Sequence, residues 1–566
     1  MGKVKSPSPV VAVVWLIILG ACGPLWGNPD SIFADPSSSV DGSVSSLTPF
    51  LPEGYNPAST SAATQTHAVS TQTTQPSSLW ISPAVPENLR QAALATGLPT
   101  ASDSENATIR LDVSQTSDPQ TTNWIYALVV PFPTVIDAVT SEDILNAWAG
   151  LPSGQLIGKP IWMRESTLAA FTVSWGAPAA GSVRLADGNE LVDSTWAEPA
   201  GWAIVPFEEL EPRWKVLSVD GQSPVHKDFD PKRYPLKITF GLQPAAFTLV
   251  PTNRDPNKMT ILAMTGVTAL VRGTADRMER YGVLYPGEEI RSALRTADIT
   301  HISNEISFME RCPTPDMWTI SLQFCSDPSY IALLEDVGTD VVELTGNHLL
   351  DYGPDATLAT LDMYDFRGWR YFGGGRNLQD SIQPALMEHN GNKLAFIGCN
   401  YAGPPNDWAT ETRPGSAPCD FDRLVAEIGN LRSAGYLPIM TLQYNEYYQP
   451  NPTDYEQRDF LRMASAGAVI VSGSQAHMPA TMEFSGGSFI HYGLGNLFFD
   501  QMSLLIDGIL ITDTRNVFVD LHVFYAGRYL GTELLSYVIE DYARPRPMTE
   551  LERFEFLQKI FRAGGW

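Results

Sequence analysis

Apolar residues along this chain gather in short continuous runs, each followed by a knot of Gly, Asn, Ser or His. Trp124-Ile125-Tyr126-Ala127-Leu128-Val129-Val130, Met259-Thr260-Ile261-Leu262-Ala263-Met264, Lys393 to Gly398, Leu437 to Leu442 and Ala468-Val469-Ile470-Val471 are of this kind. Runs without polar alternation predict strands buried on both faces. Further strands are expected at Ser166 to Ser174, Trp202 to Pro206 and Asp340 to Leu344. Helices are predicted over Pro86 to Thr96, over Asp143 to Ala149 behind Ser141, and within Tyr542 to Trp566. Strands alternating with helices give an α/β fold class. The pattern divides into a small α/β domain over 79–250 and a larger domain over 251–566.

The first part of the chain reads differently. Lys3 and Lys5 precede an apolar run of twelve residues, Val10 to Ala21, which is short for a membrane span and suits an export signal. It ends in Leu19-Gly20-Ala21-Cys22, which resembles a bacterial lipobox, where the cysteine thiol takes the lipid. Residues 1–22 are therefore expected to be a signal segment, with Cys22 anchoring the protein to the outer face of the cell membrane. A plain secretory signal and an uncleaved anchor are the alternatives. From Gly23 to Ser78, Ser, Thr, Pro, Ala and Gln dominate, a composition too polar to build a core and expected to form a disordered linker.

Composition narrows the function classes. With 44% hydrophobic and 18% charged residues the chain is globular material, and its 566 residues exceed one core. A net charge of −26 with no basic cluster excludes nucleic acid as a partner. Apart from Cys22 there are four cysteines, Cys312, Cys325, Cys399 and Cys419, an even number that predicts disulfides in an exported chain. Three connectivities are open, of which nearest-neighbour pairing is the simplest; thiolate metal binding has no CxxC pair to support it.

Candidate chemistry collects at the ends of the buried runs. In Thr345-Gly346-Asn347-His348-Leu349-Leu350-Asp351, a glycine turns the chain and sets an amide oxygen beside an imidazole. Ser303-Asn304-Glu305 stands upstream. Downstream come Gln443-Tyr444-Asn445-Glu446-Tyr447, Gly473-Ser474-Gln475-Ala476-His477 and Gly493-Leu494-Gly495-Asn496-Leu497-Phe498-Phe499-Asp500.

In that order and spacing the series resembles the CapA-type poly-γ-glutamate capsule-synthesis proteins, over about 260–530. The resemblance implies a calcineurin-like α/β/β/α metallophosphoesterase sandwich and a role in extracellular or capsular polymer assembly, transfer or hydrolysis. The expected partners are an anionic or peptide-like polymer, the membrane, and other capsule-synthesis membrane proteins.

The departures from the family pattern reduce the implied metal site. Val267 replaces a carboxylate ligand, Gln443 a histidine and Ser474 another histidine. Glu305, Asn347, Gln443 and His477 remain as candidate ligands for one divalent Mn, Fe or Zn ion, with a metal-free pocket as the alternative. The resemblance makes His348 the acid or transition-state stabiliser, with Asp351 and Glu446 orienting the histidines. The competing reading is a non-catalytic extracytoplasmic protein that binds a polymer or solute.

Three weaker signals complete the picture. Trp202 to Leu210 with Lys215 to Gly221 resembles half of a periplasmic solute-binding fold. Tyr371-Phe372-Gly373-Gly374-Gly375-Arg376-Asn377 lacks the Lys-Ser/Thr of a phosphate loop and reads as a strand-to-loop turn. His491 lies in an alternating strand and reads as structural.

Overall fold

The structure is a computed structural model that describes residues 77–115, 120–156, 159–197 and 201–566. The expected signal segment, Cys22 and nearly all of the linker lie outside the described residues. Residues 77–566 belong to one compact unit.

Two sheets packed face to face make up the part of the chain from Met259 onward. In the first, Arg370–Phe372, Val341–Glu343, Ile299–Asn304, Met259–Thr265, Asn516–Tyr525, Arg528–Glu540 and Arg544–Pro547 lie side by side. In the second the order is Ala385–His389, Asn392–Asn400, Leu437–Gln443, Ile470–Gly473, Ser488–His491 and Met482–Ser485. Strand alternation sorts their side chains. Leu262, Met264, Ile299 and Val341 meet Phe396, Ile439, Ile470 and Phe489 between the sheets. Ala263, Ile302 and Val342 face outward, in a core shared with Met278 of the helix Arg272–Tyr281 and Leu361 of Pro354–Arg367. Ile397, Met440 and Val471 do the same with Ile428 of Phe421–Ser433 and Phe460 of Asp454–Ala466. Helix, sheet, sheet, helix is the layer order that the calcineurin-like resemblance implies.

The preceding residues form an eight-stranded mixed sheet, ordered Leu79–Ile81, Ile109–Val113, Lys237–Gln243, Thr121–Pro131, Trp202–Pro206, Ile161–Met163 and Val183–Leu185, with Trp214–Val216 also paired to Thr121–Pro131. Its apolar core is continuous with Met259, Ile261, Val523 and Tyr525 of the sandwich. Polar contacts join the same parts: Arg553 binds both oxygens of Asp137, and His226 Nε2 lies 2.8 Å from Glu533.

One expected strand is a helix. Ser166 to Ser174 lies within the helix Glu165–Trp175, because Thr167, Ala170 and Phe171 recur at three- and four-residue spacing and bury one stripe. Gly176, at φ 80°, ends it. The C-terminal helix is Glu550–Ala563, opened by a Thr549–Glu552 capping box.

Cys312 is bonded to Cys325 and Cys399 to Cys419, the nearest-neighbour pairing. Two disulfides are the chemistry of a protein that matures outside the cytoplasm. Among the described residues no helix is long and apolar enough to cross a membrane.

Candidate functional site

Parallel pairing aligns the C-terminal ends of the central strands of both sheets, the edge at which α/β folds build their sites. Glu305 leaves one strand end, Thr345 to His348 the next, Gln443 closes a third and Ser474 a fourth. The turn at Gly346 exists because the chain passes against Glu305: a Cβ there would lie 2.6 Å from Glu305 Cα. That approach sets Asn347 and His348 beside Glu305.

The buried floor is a hydrogen-bonded chain. Gln443 Nε2 donates to Glu305 Oε1 at 3.0 Å and to Asn347 Oδ1 at 3.1 Å. Ser474 Oγ donates to Gln443 Oε1 at 2.8 Å and lies 3.2 Å from Thr345 Oγ1. Thr345 donates in turn to Glu343, whose other oxygen is 3.2 Å from His301 Nε2. Burial pushes the Glu343 carboxyl up, but His301, Thr345 and Thr441 together hold it below the ordinary glutamate value.

Two histidine–carboxylate pairs flank this floor. His348 Nδ1 lies 2.8 Å from Asp351 Oδ2, the oxygen that also accepts from Phe324 N. The aspartate thus takes the Nδ1 proton of a partly exposed ring, which leaves Nε2 as the nitrogen able to exchange a proton. Burial pulls the imidazole down, while Asp351, Glu305 and Asp407 lift it above its ordinary value. Asp407 is itself pushed up to about 6, by burial and then by Asp351.

His477 is held on both sides. Its Nδ1 donates to Asn496 Oδ1 at 2.8 Å, because the Asn496 amide nitrogen is committed to the carbonyls of His477 and Thr514. Its Nε2 lies 3.3 Å from Glu446 Oε1. Despite burial, Glu446 is held down at about 2 by His477, Tyr448 and Gln475. The same pairing, with Glu305, raises the buried His477.

The expected ligands Glu305, Asn347 and Gln443 therefore come together, with His348–Asp351 and His477–Glu446 as separate pairs. A divalent cation needs lone pairs converging on one point. Here those of Glu305 and Asn347 receive the two N–H groups of Gln443, and both ring nitrogens of His477 face partners of their own. Val267 is buried and aliphatic, paired with Ser303 and Asn496. Among the described residues no group of three His, Cys, Asp or Glu side chains is placed to share a metal ion. As arranged, the donor set does not fit a metal.

Other sequence candidates have partners of their own. Arg376 is taken by Asp362 and Asp365, and Gly374–Gly375 pairs with Gly415–Ser416. Tyr444, of the motif that holds Gln443 and Glu446, is buried and stacked 4.3 Å from Tyr401. His491 is buried against Asp520 at 2.7 Å. Sequence reasoning missed Glu343, His301 and Asp407; only Glu343 left a signal, a carboxylate inside an apolar run. Asp500, quoted in a motif without a role, binds Arg272 and Gly273 N and fixes the wall where Arg272 lies over Phe324 and Phe499.

Residues 261–501 match the family described as "Bacterial capsule synthesis protein PGA_cap". The chain is 23% identical over 260 residues to the "Capsule biosynthesis protein CapA" of Bacillus anthracis, covering 45% of this chain and 63% of that protein. It is 26% identical over 172 residues to the "PGA biosynthesis protein CapA" of Bacillus subtilis, covering 30% of this chain and 45% of that protein. The match thus spans less than two thirds of either relative. Among solved structures, a 5'-nucleotidase precursor from Thermus thermophilus aligns at 12% identity over 54% of this chain and 58% of its own, with a TM-score of 0.27, and adds nothing to the layer order already described. The ordered strand-end motifs, the two-sheet fold that carries them and the match over 261–501 make that segment similar to the CapA-type bacterial capsule synthesis proteins.

Proposed function

We propose that this protein acts outside the cytoplasm in the assembly, transfer or hydrolysis of a capsular or extracellular polymer of the poly-γ-glutamate kind. The observation that carries the reading is the His348–Asp351 pair, a partly exposed imidazole held at Nδ1 by a carboxylate at the strand-end edge of a CapA-type domain. His348 would give a proton to a leaving group or take one from a nucleophile, with Asp351 holding the ring as a positioning residue. Other membrane proteins of capsule synthesis are the partners this role implies.

The test incubates the full chain with poly-γ-glutamate and reads polymer length by gel filtration. Ionic strength is kept high, because a chain of charge −26 repels a polyanion. His348→Ala should lower the rate by about 10²-fold or more, the usual range for a lost proton-transfer group. If His348 acts as the acid, the rate falls as pH rises through its raised value, above the ordinary 6.5. An unchanged rate in His348→Ala would end the catalytic reading. The second reading, a non-catalytic polymer-binding protein, is favoured by how fully the floor groups satisfy one another; native binding without turnover would support it.

Anchoring through lipidated Cys22 is part of the proposal. The native chain should sediment with membranes and Cys22→Ser should move to the soluble fraction. Retention of that variant on membranes would point instead to an uncleaved apolar anchor.

A further inference from the structure

We infer that the side-chain amide of Gln443 occupies the place a divalent cation would take, making this centre metal-independent and one atom exchange away from a metal site. The amide nitrogen has two protons, and both are used, on Glu305 Oε1 at 3.0 Å and Asn347 Oδ1 at 3.1 Å. Its orientation is set from beneath, where Ser474 Oγ donates to Gln443 Oε1 at 2.8 Å. Reversing the amide would bring three oxygens together with no proton between them. Glu305 and Gln443, which carry two of those oxygens, are buried together with Ser474 and Thr345, so water could reach the opposition only from the half-buried Asn347. Three converging oxygens are what a cation would satisfy; here the N–H₂ group does so from within the chain.

Gln443→Glu tests this, because it exchanges the nitrogen for an oxygen with almost no change in shape. The full chain and the variant are stripped with chelator and titrated calorimetrically with Mn²⁺ and Zn²⁺ alone. The native protein should show no stoichiometric uptake, and the variant should bind one ion per chain at least about tenfold more tightly, a difference of about 1.4 kcal/mol. Stoichiometric uptake by the native chain would overturn the inference, as would a variant that binds no better than native. Should Gln443→Glu fail to fold without metal, refolding with Mn²⁺ becomes the readout: rescue supports the inference and failure counts against it. Metal uptake is measured without polymer, so this result and the polymer assay fail independently.

Discussion

Replacing Glu343 by leucine is expected to destabilise the sandwich by about 3–5 kcal/mol, the cost of breaking a buried pair by removing one partner. Glu343 ends the strand Val341–Glu343, 1% exposed, with His301 on the neighbouring strand also 1% exposed. Neither ring nitrogen of His301 has another hydrogen-bond partner, so the substitution leaves a buried imidazole alone. Thr345 loses its acceptor at the same time. Glu343→Gln keeps the volume and should cost less. The sign with pH follows from the depressed carboxyl. Its folded value lies below the ordinary 4.5, so the stabilisation is present above that value and is lost as pH falls through the folded value. Unfolding midpoints in denaturant at pH 7 should therefore separate native and Glu343→Leu clearly, and the gap should narrow in acid. A gap below about 1 kcal/mol at pH 7 would show that the pair contributes nothing net.

Much of the fold was legible because its strands are buried on both faces and so print as continuous apolar runs. Met259–Thr265 and Leu437–Gln443 differ from their expected ranges by one residue each. The run at Ser166 was misread because a helix packed by one stripe can show the same composition as a strand, and only the spacing of Thr167, Ala170 and Phe171 separates them. The site was legible as a set of strand ends. Glu305, Asn347 and Gln443 meet there, and Asp351 and Glu446 each stand against a histidine. Bond direction was not legible. Whether Gln443 presents nitrogen or oxygen depends on Ser474, and whether His477 has a free nitrogen depends on Asn496. The Thr345–Ser474 contact joins the two sheets across 129 residues, and no local spacing encodes such a pair. Glu343 sits inside an apolar run, where a sequence pattern shows an interruption and not its partner His301.

Gly346→Ala should damage the site more than its one added methyl suggests. The new Cβ would lie 2.6 Å from Glu305 Cα and 2.7 Å from both Glu305 O and Cγ. Two of these are backbone atoms between adjacent parallel strands, so no rotamer change relieves them. Either the turn lifts or Glu305 is driven out, at about 1–3 kcal/mol for an overpacked core position. Both outcomes part Asn347 from Gln443 and His348 from Glu305, one of the carboxylates that lift the imidazole. The His348 titration followed by NMR should therefore move down, along with the unfolding midpoint. Gly429→Ala is the control. It lies inside the helix Phe421–Ser433 of the same domain, with open space where its Cβ would go. There the same substitution should stabilise by about 0.5–1 kcal/mol through helix propensity. Opposite signs for one chemical change would locate the cost of Gly346→Ala in the approach to Glu305. A Gly346→Ala variant with native stability and an unmoved His348 titration would mean that this approach does not position the Asn347–His348 turn.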